Sequence, residues 1–154
     1  MGFLSMTNTY LISVRPMWAS AFFLSHNPKT IELRKGSFGS SLKVGNTIVI
    51  YATMPTAEVL GVVRVVKREI LPLDRLWHES QQGQLARVTQ VQFDDYYVNH
   101  SLGVGVWVSS AILFPSPISL FRLRQSWGHR WQPPQQIQQL ADNQMALLNI
   151  AHAH

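Results

Sequence analysis

The densest chemistry in the chain lies in one short run, Lys29-Thr30-Ile31-Glu32-Leu33-Arg34-Lys35. Ile31 and Leu33 alternate with Thr30, Glu32 and Arg34, so the run reads as a strand with the latter three on one face. A carboxylate beside two cations stays ionised and orients them. Where such a face lines a cleft, Lys29 and Arg34 hold a phosphate or a base edge, and Glu32 reads an amino group. A desolvated Lys29 also serves as a base, with Glu32 as partner and Thr30 nearby on the strand. The plain alternative is a solvent-facing strand carrying an ordinary ion pair.

A second constellation is Arg122, Arg124, Trp127, His129, Arg130 and Trp131. Interleaved arginine and tryptophan suit stacking on unpaired bases with contacts to phosphate, and Arg130 and Trp131 are the candidate contacts. The alternative is that both tryptophans pin the C-terminal segment onto the domain. Tyr96 and Tyr97 read as core.

Many classes fail on ingredients. There is no glycine-rich phosphate loop followed by Lys and Ser/Thr, no GxGxxG and no GxSxG elbow. The chain has 0 cysteines, which excludes a disulfide framework, a thiolate metal site and a cysteine nucleophile. Of the 6 histidines only His152 and His154 sit close together, at an end expected to fray. No metal site and no cofactor are expected.

Charge suits a polyanionic partner and a merely basic surface about equally. The net charge is +5, and eight of the 13 Lys and Arg lie in residues 1–68, Arg15 and Lys35 among them. Such a segment suits the backbone of a nucleic acid. No apolar run approaches the ~20 residues that cross a bilayer. The expected setting is the cytoplasm, with no membrane partner.

The elements that must position these residues are short. With 154 residues the chain suits one domain. Residues 10–15 read as a strand, and Pro16 opens a helix through Leu24. After the 30–35 strand, Gly36 to Ser41 reads as a flexible, exposed loop. Residues 46–53 and 58–71 read as strands, the second with a bulge or corner at Gly61. Pro72 to Ser80 reads as a helix, and Thr89 caps another through about Asn99. Residues 103–114 form a strand that Pro115 and Pro117 break. Ile118 to Gln125 is a short helix or extended piece. Residues 135–150 read as one amphipathic helix, with Ile137, Leu140, Leu147 and Leu148 on its apolar stripe. The order predicts an α+β fold, a small mixed β-barrel flanked by helices. The domain spans 10–140, after an extension over 1–9 and before a helix end and tail over 141–154.

Several of these pieces together resemble the ASCH (activating signal cointegrator homology) family. They are Ser13-Val14-Arg15-Pro16, Trp18-Ala19, the Lys29 to Arg34 strand, Val44-Gly45-Asn46 leading into Ile48 to Ala52, Glu58 to Val63, and Phe93 to Tyr97. Pro117 to Leu120 and Pro133-Pro134-Gln135 resemble the closing stretch. The resemblance implies a PUA-like barrel with a cleft between barrel and helix, lined by Lys29, Glu32 and Arg34, with Tyr51 as a stacking partner. It implies RNA or DNA binding and a role in RNA metabolism. One branch hydrolyses acetylcytidine with a lysine, a threonine and a glutamate. Lys29 matches that lysine. Glu32 stands where the threonine falls, and Glu79 is a candidate for the glutamate.

Three readings follow. The first is a nucleic-acid-binding module, RNA favoured, with Arg15, Lys29, Glu32, Arg34, Lys35, Tyr51, Arg130 and Trp131 as contacts. The second is a small metal-independent hydrolase acting on a modified nucleoside or on RNA. The third is a regulatory domain that senses a nucleotide-like ligand. The oligomeric state stays open.

Overall fold

The computed structural model describes residues 8–153, with side chains through Asn149. Residues 1–7 of the expected extension lie outside the described residues, as do the His152 and His154 side chains. No helix among the described residues is long and apolar enough to cross a membrane.

A six-stranded mixed sheet curls into a half-barrel, and five helices flank it. The strands are β1 (Thr9–Val14), β2 (Ile31–Arg34), β3 (Thr47–Ala52), β4 (Glu58–Pro72), β5 (Leu102–Ser119) and β6 (Ile137–Gln139). The helices are α1 (Pro16–Ala21), α2 (Leu73–Glu79), α3 (Gln90–Tyr96), α4 (Leu120–Trp127) and α5 (Asp142–Ala153). Strand order is β2-β5-β4-β3-β1-β6. β1 and β3 are parallel, and the other pairs are antiparallel.

β1 and β3 are buried on both faces, which is why they read as nearly continuous apolar runs. On one face Tyr10, Ile12, Val14, Ile48 and Ile50 meet Val63, Val104 and Val106 in the barrel core, closed by Phe22 and Phe38. On the other, Leu11, Val49 and Tyr51 pack with Leu123 of α4 and Leu147 and Leu148 of α5. A third cluster, Leu71, Leu76, Phe93 and Tyr97, seats α2 and α3.

The long β4–β5 pair supplies the curl. Its register shifts between Val59 and Gly61, between Val62 and Arg64, and between Val65 and Lys67. The expected irregularity at Gly61 is present, and a Cβ there would meet the Ile112 carbonyl oxygen at 2.1 Å.

Local expectations are corrected at several points. β5 does not stop at Pro115. Pairing skips from Leu113 opposite Gly61 to Ile118 opposite Val59, and both prolines sit exposed in that bulge, where no ladder N–H is needed. Residues 36–41 are exposed at Gly36, Ser37, Ser40 and Ser41, as expected, but the segment is anchored. Phe38 is buried in the barrel core, and its carbonyl accepts from Arg68 Nε at 2.8 Å. The segment 135–150 is not one helix, because residues 137–139 first add an edge strand to β1. The first and third helices also end early, at Ala21 and Tyr96. Thr89 does cap α3, through a reciprocal capping box with Gln92.

Candidate nucleic-acid interface

β2 and β1 face each other across the curl without pairing. β2 bonds only to β5, and β1 bonds to β3 and β6. This seam holds the predicted charged run.

Glu32 and Arg34 lie opposite Val106 and Val104 of β5, both members of the barrel core. Their side chains therefore enter the barrel rather than solvent. Lys29 Nζ lies 3.2 Å from Glu32 Oε1 and donates to the Ala86 carbonyl at 3.1 Å. Arg34 Nε donates to Glu32 Oε2 at 2.6 Å, and Arg34 Nη2 donates to the Ser13 carbonyl at 2.7 Å. The Arg34 guanidinium also lies over the Phe38 ring, 4.5 Å from its centroid. The Lys29 and Glu32 side chains are 3% and 7% exposed, and Arg34 is 13% exposed. The solvent-facing ion pair is thus overturned: this is a buried network that ties β2 to β1.

Electrostatics follow from the burial. Burial pulls the Lys29 ammonium below its ordinary range, with Glu32 opposing. Burial pushes the Glu32 carboxyl up, but Lys29 and Arg34 together outweigh it and hold it below the usual carboxylate range. Glu32 is the anionic centre of a nearly dry site, with a cation on each oxygen.

Further along the same seam lies an open cleft of about 650 Å³. One wall is the 36–41 segment with Lys35 and three serines, Ser37, Ser40 and Ser41. Tyr10, Gln136 and Gln139 line it from β1 and the β6 region, and His100 from the turn after α3. His100 Nδ1 pairs with the Val98 carbonyl at 3.0 Å. Lys35 Nζ lies over the Tyr96 ring, 4.1 Å from its centroid.

The structure brings Lys29, Glu32 and Arg34 together and places Lys35 on the adjoining cleft. It does not bring in the rest. Thr30 is held by its backbone, donating to Leu85 and accepting from Val108, and contributes no side-chain contact to the network among the described residues. Arg15 is exposed at the start of α1. Tyr51 is 2% exposed and faces the second core, so its expected stacking role on the cleft is corrected. Burial raises its phenol pKa, with Arg124 opposing. Trp131 packs edge-to-face on Trp127, centroids 4.9 Å apart, and Arg124 Nε donates to its carbonyl at 3.0 Å. Arg130 beside it is exposed, and neither residue lines the cleft. Glu79 forms no ion pair with Lys29 among the described residues. No group of three His, Cys, Asp or Glu among the described residues is placed to hold a metal.

Sequence reasoning missed Tyr10, His100, Gln136 and Gln139, because they reach the cleft from distant segments. It also missed Tyr96. The glycine- and serine-rich 36–41 segment was the one visible signal for this wall.

Comparison with known proteins bears on the fold. No family model and no curated protein matches the chain. Among solved structures, the ASCH protein of Zymomonas mobilis superposes with a TM-score of 0.81 at 25% identity, over 91% of this chain and 92% of that one. The N-terminal domain of Staphylothermus marinus McrB gives 0.63 at 7% identity, over 100% and 98%. Human THYN1, solved with DNA containing 5-methylcytosine, gives 0.56 at 15% identity, over 96% and 99%. The class defined by the sheet and its seam is the PUA-like half-barrel. Within that class the chain has the ASCH fold, as the motifs implied.

Proposed function

We propose that the chain binds single-stranded nucleic acid by seating a nucleotide in the seam cleft, and that it takes RNA ahead of DNA. The cleft itself carries this reading. Its volume of about 650 Å³ suits a nucleotide unit. Lys35 supplies a cation for phosphate. Serine hydroxyls and glutamine amides supply the donors and acceptors that a ribose 2′-hydroxyl and a base edge need. Lys29, Glu32 and Arg34 lie outside the cleft lining, and Arg34 touches it through the Phe38 ring, 4.5 Å from its centroid. The THYN1 structure supports nucleic-acid binding in general, since a protein of this architecture was solved on DNA.

The test is fluorescence anisotropy with matched RNA and DNA oligonucleotides across a salt series. Wild type binds, RNA more tightly, and binding weakens with salt. Lys35→Met lowers the slope of log affinity against log salt by about one. Ser41→Trp, which fills the cleft, weakens binding at least several-fold. Binding indifferent to both variants, or none at low salt, overturns the proposal. Equal affinity for a free mononucleotide and a strand would turn the site into a ligand sensor.

The Lys29–Glu32 pair, 3.2 Å apart, with burial pulling the ammonium below its ordinary range, supports a second reading, hydrolysis of an acylated nucleoside with Lys29 as base and Glu32 as its partner. Metal-free turnover of acetylcytidine that Lys29→Met abolishes would establish it, and no turnover would remove it.

A further inference from the structure

We propose that Tyr96 is the stacking platform for the base and that Lys35 is exchanged from its ring to the phosphate when a nucleotide enters. This rests on the cleft reading above and adds the residue that grips the base.

Three observations carry it. First, Tyr96 is 38% exposed, although it ends a helix whose Phe93 is buried and its neighbour Tyr97 is core. Second, its ring orientation is fixed from beneath. Tyr97 meets it edge-on, centroids 4.8 Å apart, and Phe93 meets Tyr97 the same way at 4.9 Å. Tyr97 is anchored in turn by its hydroxyl, which donates to the Arg34 carbonyl at 2.9 Å. An exposed ring held this way is a preorganised platform. Third, Lys35 connects it to the cleft: the residue lines that cavity, and its ammonium lies 4.1 Å from the Tyr96 ring centroid.

Magnitudes favour the exchange. A lysine over an exposed aromatic ring gains only about two- to fivefold in equilibrium terms. A base stacked on an aromatic side chain gains roughly five- to 150-fold. A freed ammonium then meets phosphate, where lysine acts as a flexible point charge. The turn that follows Tyr96 brings His100 to the same cleft, its N–H donating to the Tyr97 carbonyl at 2.9 Å. The ligand class is a nucleotide within a strand, its base unpaired and its phosphate turned toward Lys35.

The test compares a short RNA with an abasic ribose-phosphate strand of equal length, on wild type, Tyr96→Ala, Tyr96→Phe and Lys35→Met, each checked for folding by circular dichroism. Tyr96→Ala is expected to weaken base-bearing RNA about tenfold or more and leave the abasic strand within twofold. Tyr96→Phe restores the loss. Lys35→Met weakens both strands and lowers the salt slope by about one. If Tyr96→Ala binds RNA like wild type, or loses both strands equally, the platform is overturned while the cleft reading stands on Ser41→Trp. If wild type binds no strand, both fall.

Discussion

Arg34 donates to the Ser13 carbonyl at 2.7 Å across the seam between β2 and β1, which have no strand pairing with each other among the described residues. A side chain thus does at the seam what a ladder hydrogen bond does elsewhere. The same guanidinium holds Glu32, which holds Lys29, which reaches the Ala86 carbonyl. One chain of contacts joins β1, β2 and the turn before α3, and the open cleft begins where it stops.

Arg34→Lys should therefore behave as a loss rather than a conservative change. One ammonium cannot match both the Nε and the Nη2 contacts. We expect both Arg34→Lys and Arg34→Met to cost about 2–4 kcal/mol in urea unfolding, since a buried partner charge is left poorly paired. Amide exchange should accelerate at the β1–β6 edge. Stability within 0.5 kcal/mol of wild type, roughly that of an exposed pair, would show that the brace contributes little.

Glu32 makes a pH prediction with a definite sign. Burial alone would raise its pKa, and Lys29 and Arg34 more than reverse that. A carboxyl whose folded pKa lies below its unfolded value, near 4.5, stabilises the fold above that value. The contribution is lost as pH falls through the folded value. Glu32→Gln should be weaker than wild type at pH 7 by about 3 kcal/mol. The gap should narrow as pH falls below about 4.5 and on through the folded value as wild type protonates, because an amide and a neutral carboxyl face the cations alike. Denaturant curves from pH 7 to 3 on both proteins check this, and a constant gap would contradict it.

The residues legible in sequence are those whose neighbours lie close along the chain. Alternation gave the 30–35 strand, and Thr89 marked a helix start that its capping box with Gln92 bears out. Lost were features set by distant contacts. Lys29 is buried because Ala86 and Phe22 cover it, neither visible from a seven-residue run. Tyr51 had its cleft role from the resemblance alone; β3 alternates regularly, and Tyr51 falls with Val49 on the face that packs on α4 and α5. Tyr96 and Tyr97 are the same residue type side by side, and only the helix end separates core from surface. The three-residue β6 is shorter than any period can show.

Two glycines separate space from conformation. At Gly61 a Cβ would lie 2.1 Å from the Ile112 carbonyl oxygen and 2.9 Å from Phe23. Gly61→Ala must move backbone, and we expect a loss of about 2–3 kcal/mol by thermal unfolding. Gly36 has φ +63 and nothing within 4 Å of such a Cβ. Gly36→Ala should cost only about 1 kcal/mol, the left-handed term alone. Equal losses would mean that the β4–β5 bulge yields freely.

Trp127 and Trp131 test whether the second arginine- and tryptophan-rich constellation is structural. The rings pack edge-to-face at 4.9 Å against the second core, and both indole nitrogens are buried without a hydrogen-bond acceptor among the described residues. Truncation and replacement should therefore diverge. Trp131→Ala removes the ring from the Trp127 contact and should cost about 2–4 kcal/mol. Trp131→Phe keeps an aromatic ring and removes an unpartnered donor, whose burial works against the fold. We expect it within about 1 kcal/mol of wild type, on either side, in urea unfolding. Since Trp131 lies outside the cleft lining, Trp131→Phe should also leave RNA affinity unchanged in the anisotropy assay. A tenfold loss of affinity with stability intact would move the binding surface to this face.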